Sequence, residues 1–484
     1  MKLSHEMIVQ AQELVARRLG LDFPEARRAD LERGLLRASR TSVAGGPETY
    51  LDWLATLPDQ DPEWGRLAGQ LTVGETYFFR DQACFGALEQ EVLPPLIRLR
   101  REEGLLRLRL WSAGCATGEE PYSLAILLDR LLPDRSEWAL TILATDVNPA
   151  SLEAARRGCY REWSLRDTPE WIRDRYFRKR GPETFELDPA IRQMVAFAPL
   201  NLAQDSYPSM VTNTSAMDLI LSRNVLMYLT REAQQATAAR LRRALVPGGW
   251  LVVAPAEASA DLLRPLVPVN FPGAISYRKV PESAVRLQPS AVSLPMVSWP
   301  AETRLPDVMT PAAPIGLPTR AAAPTIPALP ELPPDRATLL ERARMLADQG
   351  HLEEARRLCE AALRKERLDP DAQLLLAAIC QELGDLPGAL VALRRALYLA
   401  PHSAPAHFLL GTLLFRRGEQ KQGRRRMETV VSLLRAVPPD EALPGGDGFT
   451  AGRLLDAVRG YLAAAPPPSA LSPRLETRNW RATG

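Results

Sequence analysis

The sequence predicts an α/β protein of several domains: a Rossmann-like doubly wound sheet, an all-α domain before it and an α-α helical solenoid after it. Three observations predict this. Short apolar runs alternate with helical segments between residues 107 and 280, helical periodicity alone occupies the first 71 residues, and a block of about 34 residues recurs three times near the end. At 484 residues the chain also exceeds what one hydrophobic core organises.

The first part, residues 1–73, repeats apolar residues at three- and four-residue spacing: Ile8, Leu14 and Val15; Leu31, Leu35 and Leu36; Tyr50, Trp53, Leu54 and Leu57. Arg17, Arg18, Arg27, Arg28, Arg33, Arg37 and Arg40 make it basic, either as solvated helix faces or as a recognition surface. Strands are expected over 108–113, 140–146, 195–199, 218–222 and 250–254, with helices over 121–132, 149–158 and 231–245. Residues 163–194 fit neither pattern and read as an insertion within a domain spanning 74–280. Prolines then recur every few residues over 281–334, as in an extended linker.

The repeats, within 335–465, align over 337–370, 371–404 and 405–438. Ala343, Ala377 and Gly411 fall in register, as do Gly350, Gly384 and Gly418, then Ala355, Ala389 and Gly423, then Ala362 and Ala396. Small residues fall where paired helices approach and a glycine falls at each turn, the pattern of tetratricopeptide (TPR) repeats. Pro370 and Pro401 are expected near the ends of second helices. A segment over 449–463 is expected to cap the stack, and 466–484 to be a disordered tail.

Composition narrows the function classes. Sixty basic residues face 58 acidic ones, a net charge of +2, which argues against a general nucleic-acid binder. Five scattered cysteines without a CxxC pair indicate neither a disulfide framework nor a metal site. With no signal-peptide pattern and no long apolar stretch, a cytoplasmic protein without direct membrane insertion is expected.

The chemistry concentrates in WSAGCATGEEPYSLA (111–125), which joins a strand to a helix through Gly114, Cys115, Ala116, Thr117 and Gly118. Small residues there let a ligand approach the backbone N–H groups of a helix N-terminus. Asp146 ends the next strand, where a carboxylate commonly binds a ribose diol; the alternative is that it caps the following helix. Cys115 reads as a packing residue.

These residues resemble the chemotaxis receptor glutamate methyltransferases of the CheR type, over roughly 1–280. The resemblance is carried by TYFFR (76–80), SAGCATGEEPYS (112–123), NL (201–202) and SRNVLMYL (222–229). It implies an S-adenosylmethionine-dependent methyltransferase domain that yields S-adenosylhomocysteine, with no metal. It also implies that Arg80 pairs with the cofactor's methionine carboxylate and helps place the methyl group. Thr76 would hydrogen-bond nearby, and Glu119 or Glu120 would bind the ammonium end or orient Arg80. Asp146 would hold the ribose, Asn201 and Leu202 frame the adenine, Arg223 and Asn224 line the methyl-donor site, and Tyr228 stand by the incoming carboxylate. Phe78 and Phe79 read as core. Three departures stand out: Gly74 where the family often has asparagine, Ser222 where it often has cysteine, and APAEA (254–258) where only Glu257 fits. The serine is a mild change; Gly74 and the altered 254–258 segment leave open a catalytically impaired scaffold that binds the cofactor.

The implied substrates are glutamate side chains on the cytoplasmic helices of a methyl-accepting chemoreceptor. A glutamate is already ionised at neutral pH, so transfer needs alignment more than a base, and no histidine lies between His5 and His351. An acidic receptor bundle would meet the N-terminal arginines. The repeats carry no catalytic pattern and read as a docking groove for a further protein or peptide.

Overall fold

The computed structural model describes residues 3–58, 61–209, 212–280, 336–445 and 449–464. The expected linker and tail therefore lie outside the described residues. Among the described residues no helix is long and apolar enough to cross a membrane.

The central sheet uses β1 (Arg107–Ala113), β2 (Ala139–Asp146), β6 (Val195–Pro199), β7 (Met217–Ser222), β8 (Leu245–Val253), β9 (Val267–Phe271) and β10 (Ala274–Arg278). Their order is β6-β2-β1-β7-β8-β10-β9; the first five are parallel, and β10 runs antiparallel to both neighbours. Successive strands leave β1 toward β2 on one side and β7 on the other, which opens a crevice beyond their carboxyl ends. All seven residues of β1 are buried, as a strand covered on both faces must be.

Four of the five expected strands start within a residue of the structure's; β8 starts earlier, at Leu245, through Pro247, Gly248 and Gly249, which gave no apolar run to read. The β9–β10 hairpin went unread because proline and polar residues interrupt its alternation. The reading of 163–194 as patternless is corrected. A second, antiparallel sheet joins β3 (Cys159–Arg161), just before that segment, to β5 (Thr184–Leu187) and β4 (Phe177–Lys179) within it, with the helix Glu170–Tyr176 between β3 and β4 in the chain. Strands of three or four residues are too short to show a period of two.

Helices cover both faces. Glu119–Leu131 and Leu93–Glu102 pack on one, with Leu110, Leu219 and Leu221 in the shared core. On the other, Trp111, Leu143 and Leu251 join one continuous core with Leu14, Leu31, Leu35, Leu54 and Leu67 of the N-terminal helices. Those helices are His5–Leu19, Arg28–Thr41, Pro47–Thr56 and Pro62–Leu71; Ser4 and Asp61 cap the first and last by accepting from Met7 and Glu63 N–H groups. At about 1.5–3 kcal/mol per buried leucine, this shared core fixes the N-terminal helices to the sheet.

The repeats form three helix pairs: Arg336–Asp348 with Leu352–Lys365, Pro370–Glu382 with Leu386–Leu399, and Ala404–Arg416 with Gln420–Leu434. Ala343, Ala355, Ala362, Ala377, Ala389 and Ala396 are all buried where the aligned register puts small residues. Pro370 opens the third of these helices behind the cap residue Asp369; it does not close the second, and proline at a first helical turn loses no hydrogen bond. The helix Ala451–Ala464 covers the last pair, with Tyr461 edge-on to Phe408 at 5.8 Å, and also packs against Pro149–Arg157 and β6.

The repeats meet the sheet at the amino ends of its strands, opposite the crevice. A Cβ on Gly350 would stand 2.8 Å from Val246 Cγ1, and one on Gly384 2.8 Å from Ala139 Cβ; both glycines also have positive φ. Gly418, at the third turn, meets nothing within 4 Å. Arg109, fully buried on β1, donates to Asn213 and Ser215 oxygens and lies 3.6 Å from the buried Glu382 carboxylate; Arg107 Nη2 donates to Gly350 O at 3.3 Å.

Candidate active site

A pocket opens at the carboxyl ends of β1 and β2, lined by Gly114, Ala116, Asp146, Asn201, Leu202 and Tyr228 among others. Its floor is the turn after β1. Gly114 N and Cys115 N both donate to Thr145 O, at 2.8 and 2.9 Å, folding the turn back over β2. Gly114 has φ +94°, and a Cβ there would stand 2.3 Å from Val225 Cγ2, so a side chain would push the opposing loop away.

Asp146 closes one side. Its Oδ2 accepts from Ala116 N at 2.8 Å and its Oδ1 from Asn148 N at 2.8 Å. Burial raises its pKa, and these backbone donors oppose the rise. The cap of the following helix, Pro149–Arg157, is Asn148, whose Oδ1 accepts from Ala150 and Ser151 N–H groups. Asn201 borders the pocket; its Oδ1 accepts from Ala203 N, and its amide donates to Arg18 O. Leu202 is buried, and its carbonyl accepts from Tyr207, Thr237 and Arg240.

The opposite wall follows β7, and one side chain from elsewhere shapes it. Glu257, buried after β8, accepts four backbone N–H groups: Asn224 at 2.7 Å, Val225 at 2.6 Å, Met227 at 3.2 Å and Ala254 at 3.1 Å. Asn224 is thereby held at φ +58°. Tyr228 ends this loop, its carbonyl accepting from Asp22 N at 2.8 Å. The Arg27 guanidinium stacks over its ring at 4.9 Å, donates to Asp22 O, and lines the same pocket. The connection between the first two N-terminal helices thus supplies both a backbone clamp, from Asp22, and a cation, Arg27, at the pocket mouth.

Asp146, Asn201, Leu202, Asn224 and Tyr228 are therefore brought together. A second cluster lies beside them. Arg223, buried, pairs with Glu120 at 3.4 Å and Asp81 at 3.2 Å, and its Nε has no partner among the described residues. Glu120 also accepts from Ser112 Oγ at 2.7 Å; burial raises its pKa, and Arg223 opposes that. Glu119 faces elsewhere: its carboxylate accepts from Thr117 at 2.6 Å and Ser164 at 3.0 Å, tying the loop to the inserted segment, and burial raises its pKa. Arg80 Nη1 donates to Glu75 O at 2.8 Å, and its guanidinium approaches the Tyr77 ring; neither Arg80 nor Thr76 lines the pocket with Asp146. Phe78 and Phe79 are core residues. Cys115 is buried, and burial raises its thiol pKa well above the ordinary value, which suits packing better than nucleophilic chemistry.

Gly74 lines the pocket without strain, so its missing side chain widens the wall. Sequence reading named Arg27 only within a basic surface and Glu257 only as a matching letter. The glutamate of APAEA, just after β8, was the available signal for Glu257 itself, though not for its four backbone partners. None existed for Arg27, whose partner Tyr228 lies far away in sequence.

The donor set fits an adenosyl sulfonium. Gly114 leaves the room, Asp146 is the acid at the end of β2, and Asn201 and Leu202 flank an apolar slot; outside that lining, Arg223 keeps one buried N–H, at Nε, without a partner among the described residues.

A family model described as "CheR methyltransferase, SAM binding domain" matches residues 74–263. The probable biofilm formation methyltransferase WspC of Pseudomonas aeruginosa is 30% identical over 431 residues, covering 86% of this chain and 96% of that one. Its Pseudomonas putida counterpart is 30% identical over 419 residues, 85% of this chain and 95% of its own. Chemotaxis protein methyltransferase 1 of P. aeruginosa is 38% identical over 197 residues, 40% of this chain and 69% of that relative.

Proposed function

This chain belongs to the CheR methyltransferase family, and from that premise we propose that it methylates glutamate side chains on the cytoplasmic helices of a chemoreceptor-like protein, using S-adenosylmethionine. The observation that carries the reading is the pocket mouth. Tyr228 and Arg27 stand together beside Asn224, one offering a hydroxyl and the other a cation to an incoming carboxylate. None of the four histidines lines this pocket, which suits a nucleophile that needs no deprotonation.

S-adenosylmethionine, when bound, supplies an activated methyl group for in-line displacement. The chain's part is alignment. Asp146 would take the ribose hydroxyls, Asn201 and Leu202 the adenine, and the Glu120–Arg223 cluster, with Arg80 and Thr76 from the adjoining segment, the methionine end. Glu257 fixes the Asn224–Tyr228 loop against which the glutamate is aimed, and a displacement of about 1 Å there costs up to roughly a hundredfold in rate. The intact Glu257 anchor favours a competent enzyme over an impaired scaffold.

The N-terminal arginines would recognise an acidic receptor surface and the repeats would dock a further protein, raising effective concentration. Both WspC proteins match along most of the chain, 86% and 85% of it, whereas the chemotaxis methyltransferase matches over 40% of it. That contrast supports a role in biofilm formation rather than in motility alone. Incubation with methyl-labelled cofactor and receptor-bearing membranes, followed by alkaline release of methanol, tests the proposal. Base-labile label on the receptor is expected, and cofactor binding without it would favour the scaffold.

A further inference from the structure

Away from the catalytic pocket, the repeats carry a groove of about 790 Å³ between the helices Leu352–Lys365 and Leu386–Leu399, floored by Pro370–Glu382. Arg364 and Arg367 stand on one side of it, Arg394 and Arg395 on the other, and all four are exposed. None has an ion pair or hydrogen bond among the described residues. The one acidic side chain in the lining, Glu360, is engaged by Arg356 at 3.1 Å. Elsewhere the repeats pair arginines locally, as with Arg336 and Asp369 or Arg424 and Glu428. Four cations converging on one groove without counter-charge are an unmet demand for anions.

Two further features define the occupant. Leu368 and Tyr398 line the same groove at 72% and 84% exposure and set apolar contact surface beside the charges. In the floor, Gln373 is only 4% exposed, and its Oε1 has no hydrogen-bond partner. A buried acceptor without a donor is costly, and a peptide N–H would satisfy it.

We propose that this groove docks an acidic, leucine-bearing peptide segment of a partner protein, its carboxylates on Arg364, Arg367, Arg394 and Arg395 and its apolar residues on Leu368 and Tyr398. Leu363, Leu368, Leu376 and Leu399 outnumber the single aromatic ring, Tyr398, in the lining, which favours apolar side chains over a run of stacked bases. This chain's own segments outside the described residues fit poorly. The tail carries Arg474, Arg478 and Arg481 against Glu476, and the acids of the linker are spread thinly among prolines.

The inference rests on the reading of the repeats as a docking module, and the test separates the two. The full chain is titrated with a short fluorescein-labelled peptide rich in Glu, Asp and Leu, with a Lys/Leu peptide of equal length and a single-stranded oligonucleotide as controls. Saturable one-to-one binding of the acidic peptide, weakened by salt, is expected. The double variant Arg364→Glu with Arg395→Glu should weaken it by about tenfold or more, and Leu368→Ser with Tyr398→Ala should also weaken it, both with basal methyl transfer unchanged. Acidic-peptide binding that survives both variants overturns the groove but leaves docking by the repeats standing. Failure of every peptide to bind sinks both. Equal binding of the oligonucleotide, or self-association of the chain that disappears in the charge-reversed variant, would assign the groove to another occupant and overturn the proposal.

Discussion

Replacing Glu257 with alanine removes one carboxylate and strands four backbone N–H groups, those of Asn224, Val225, Met227 and Ala254. A buried donor left unpaired costs about 1–3 kcal/mol, and some of the four would regain water in the space vacated, so a loss of roughly 3–5 kcal/mol in stability is expected. The larger effect falls on the reaction. The loop that places Tyr228 and holds Asn224 at positive φ loses its anchor, and transfer to receptor should fall by about a hundredfold. Glu257→Gln keeps one acceptor oxygen but turns an NH₂ group toward two of the donors. It should therefore lie between wild type and alanine in both readouts. Urea unfolding followed by fluorescence measures the first, and base-labile methyl transfer at saturating cofactor the second. An alanine variant with wild-type midpoint and rate would refute the reasoning.

Other substitutions separate the parts of the site. Arg27→Ala should lower kcat/KM for receptor about tenfold while leaving cofactor affinity, read by calorimetry, unchanged, because the guanidinium stacks over the Tyr228 ring that the proposal sets beside the incoming carboxylate. Asp146→Asn should instead raise KM for the cofactor by about tenfold, the worth of one charge-assisted hydrogen bond. Glu382→Ala leaves Arg109 buried with only neutral oxygens and should cost about 3 kcal/mol, seen as a lower or divided thermal transition with the catalytic pocket intact. Burial raises the Glu119 carboxyl, so the folded chain holds that proton more tightly than the unfolded one. Its contribution to stability then falls as pH rises from the unfolded carboxylate range through the folded pKa. Denaturant midpoints against pH should show wild type gaining on Glu119→Gln upon acidification; a constant difference would contradict this.

The sequence showed what depends on local pattern. The alternation of strand and helix located five parallel strands, and the aligned small residues located three helix pairs, because both follow from a period. The pocket was half legible for the same reason: Gly114 and Asp146 sit at strand ends, where backbone geometry dictates residue type. What stayed hidden is tertiary. Glu257 works through four backbone donors, which leave no mark in a sequence. Arg27 gains its role only because a separate helical unit folds onto the sheet and lays it over Tyr228. Gly350 and Gly384 were legible as turns but not as contacts, since nothing local distinguishes them from Gly418, which touches nothing. The strands of the inserted sheet were too short to declare themselves.

The central claim, transfer of a methyl group to glutamate, is tested most directly by tandem mass spectrometry of receptor recovered after incubation with the enzyme and S-adenosylmethionine. The account predicts one added methyl group on glutamate side chains of the receptor's cytoplasmic helices, removed by alkali and absent when Tyr228→Phe enzyme is used for the same time. Methylation on lysine or arginine nitrogen, or none on a receptor that the enzyme binds, would contradict it.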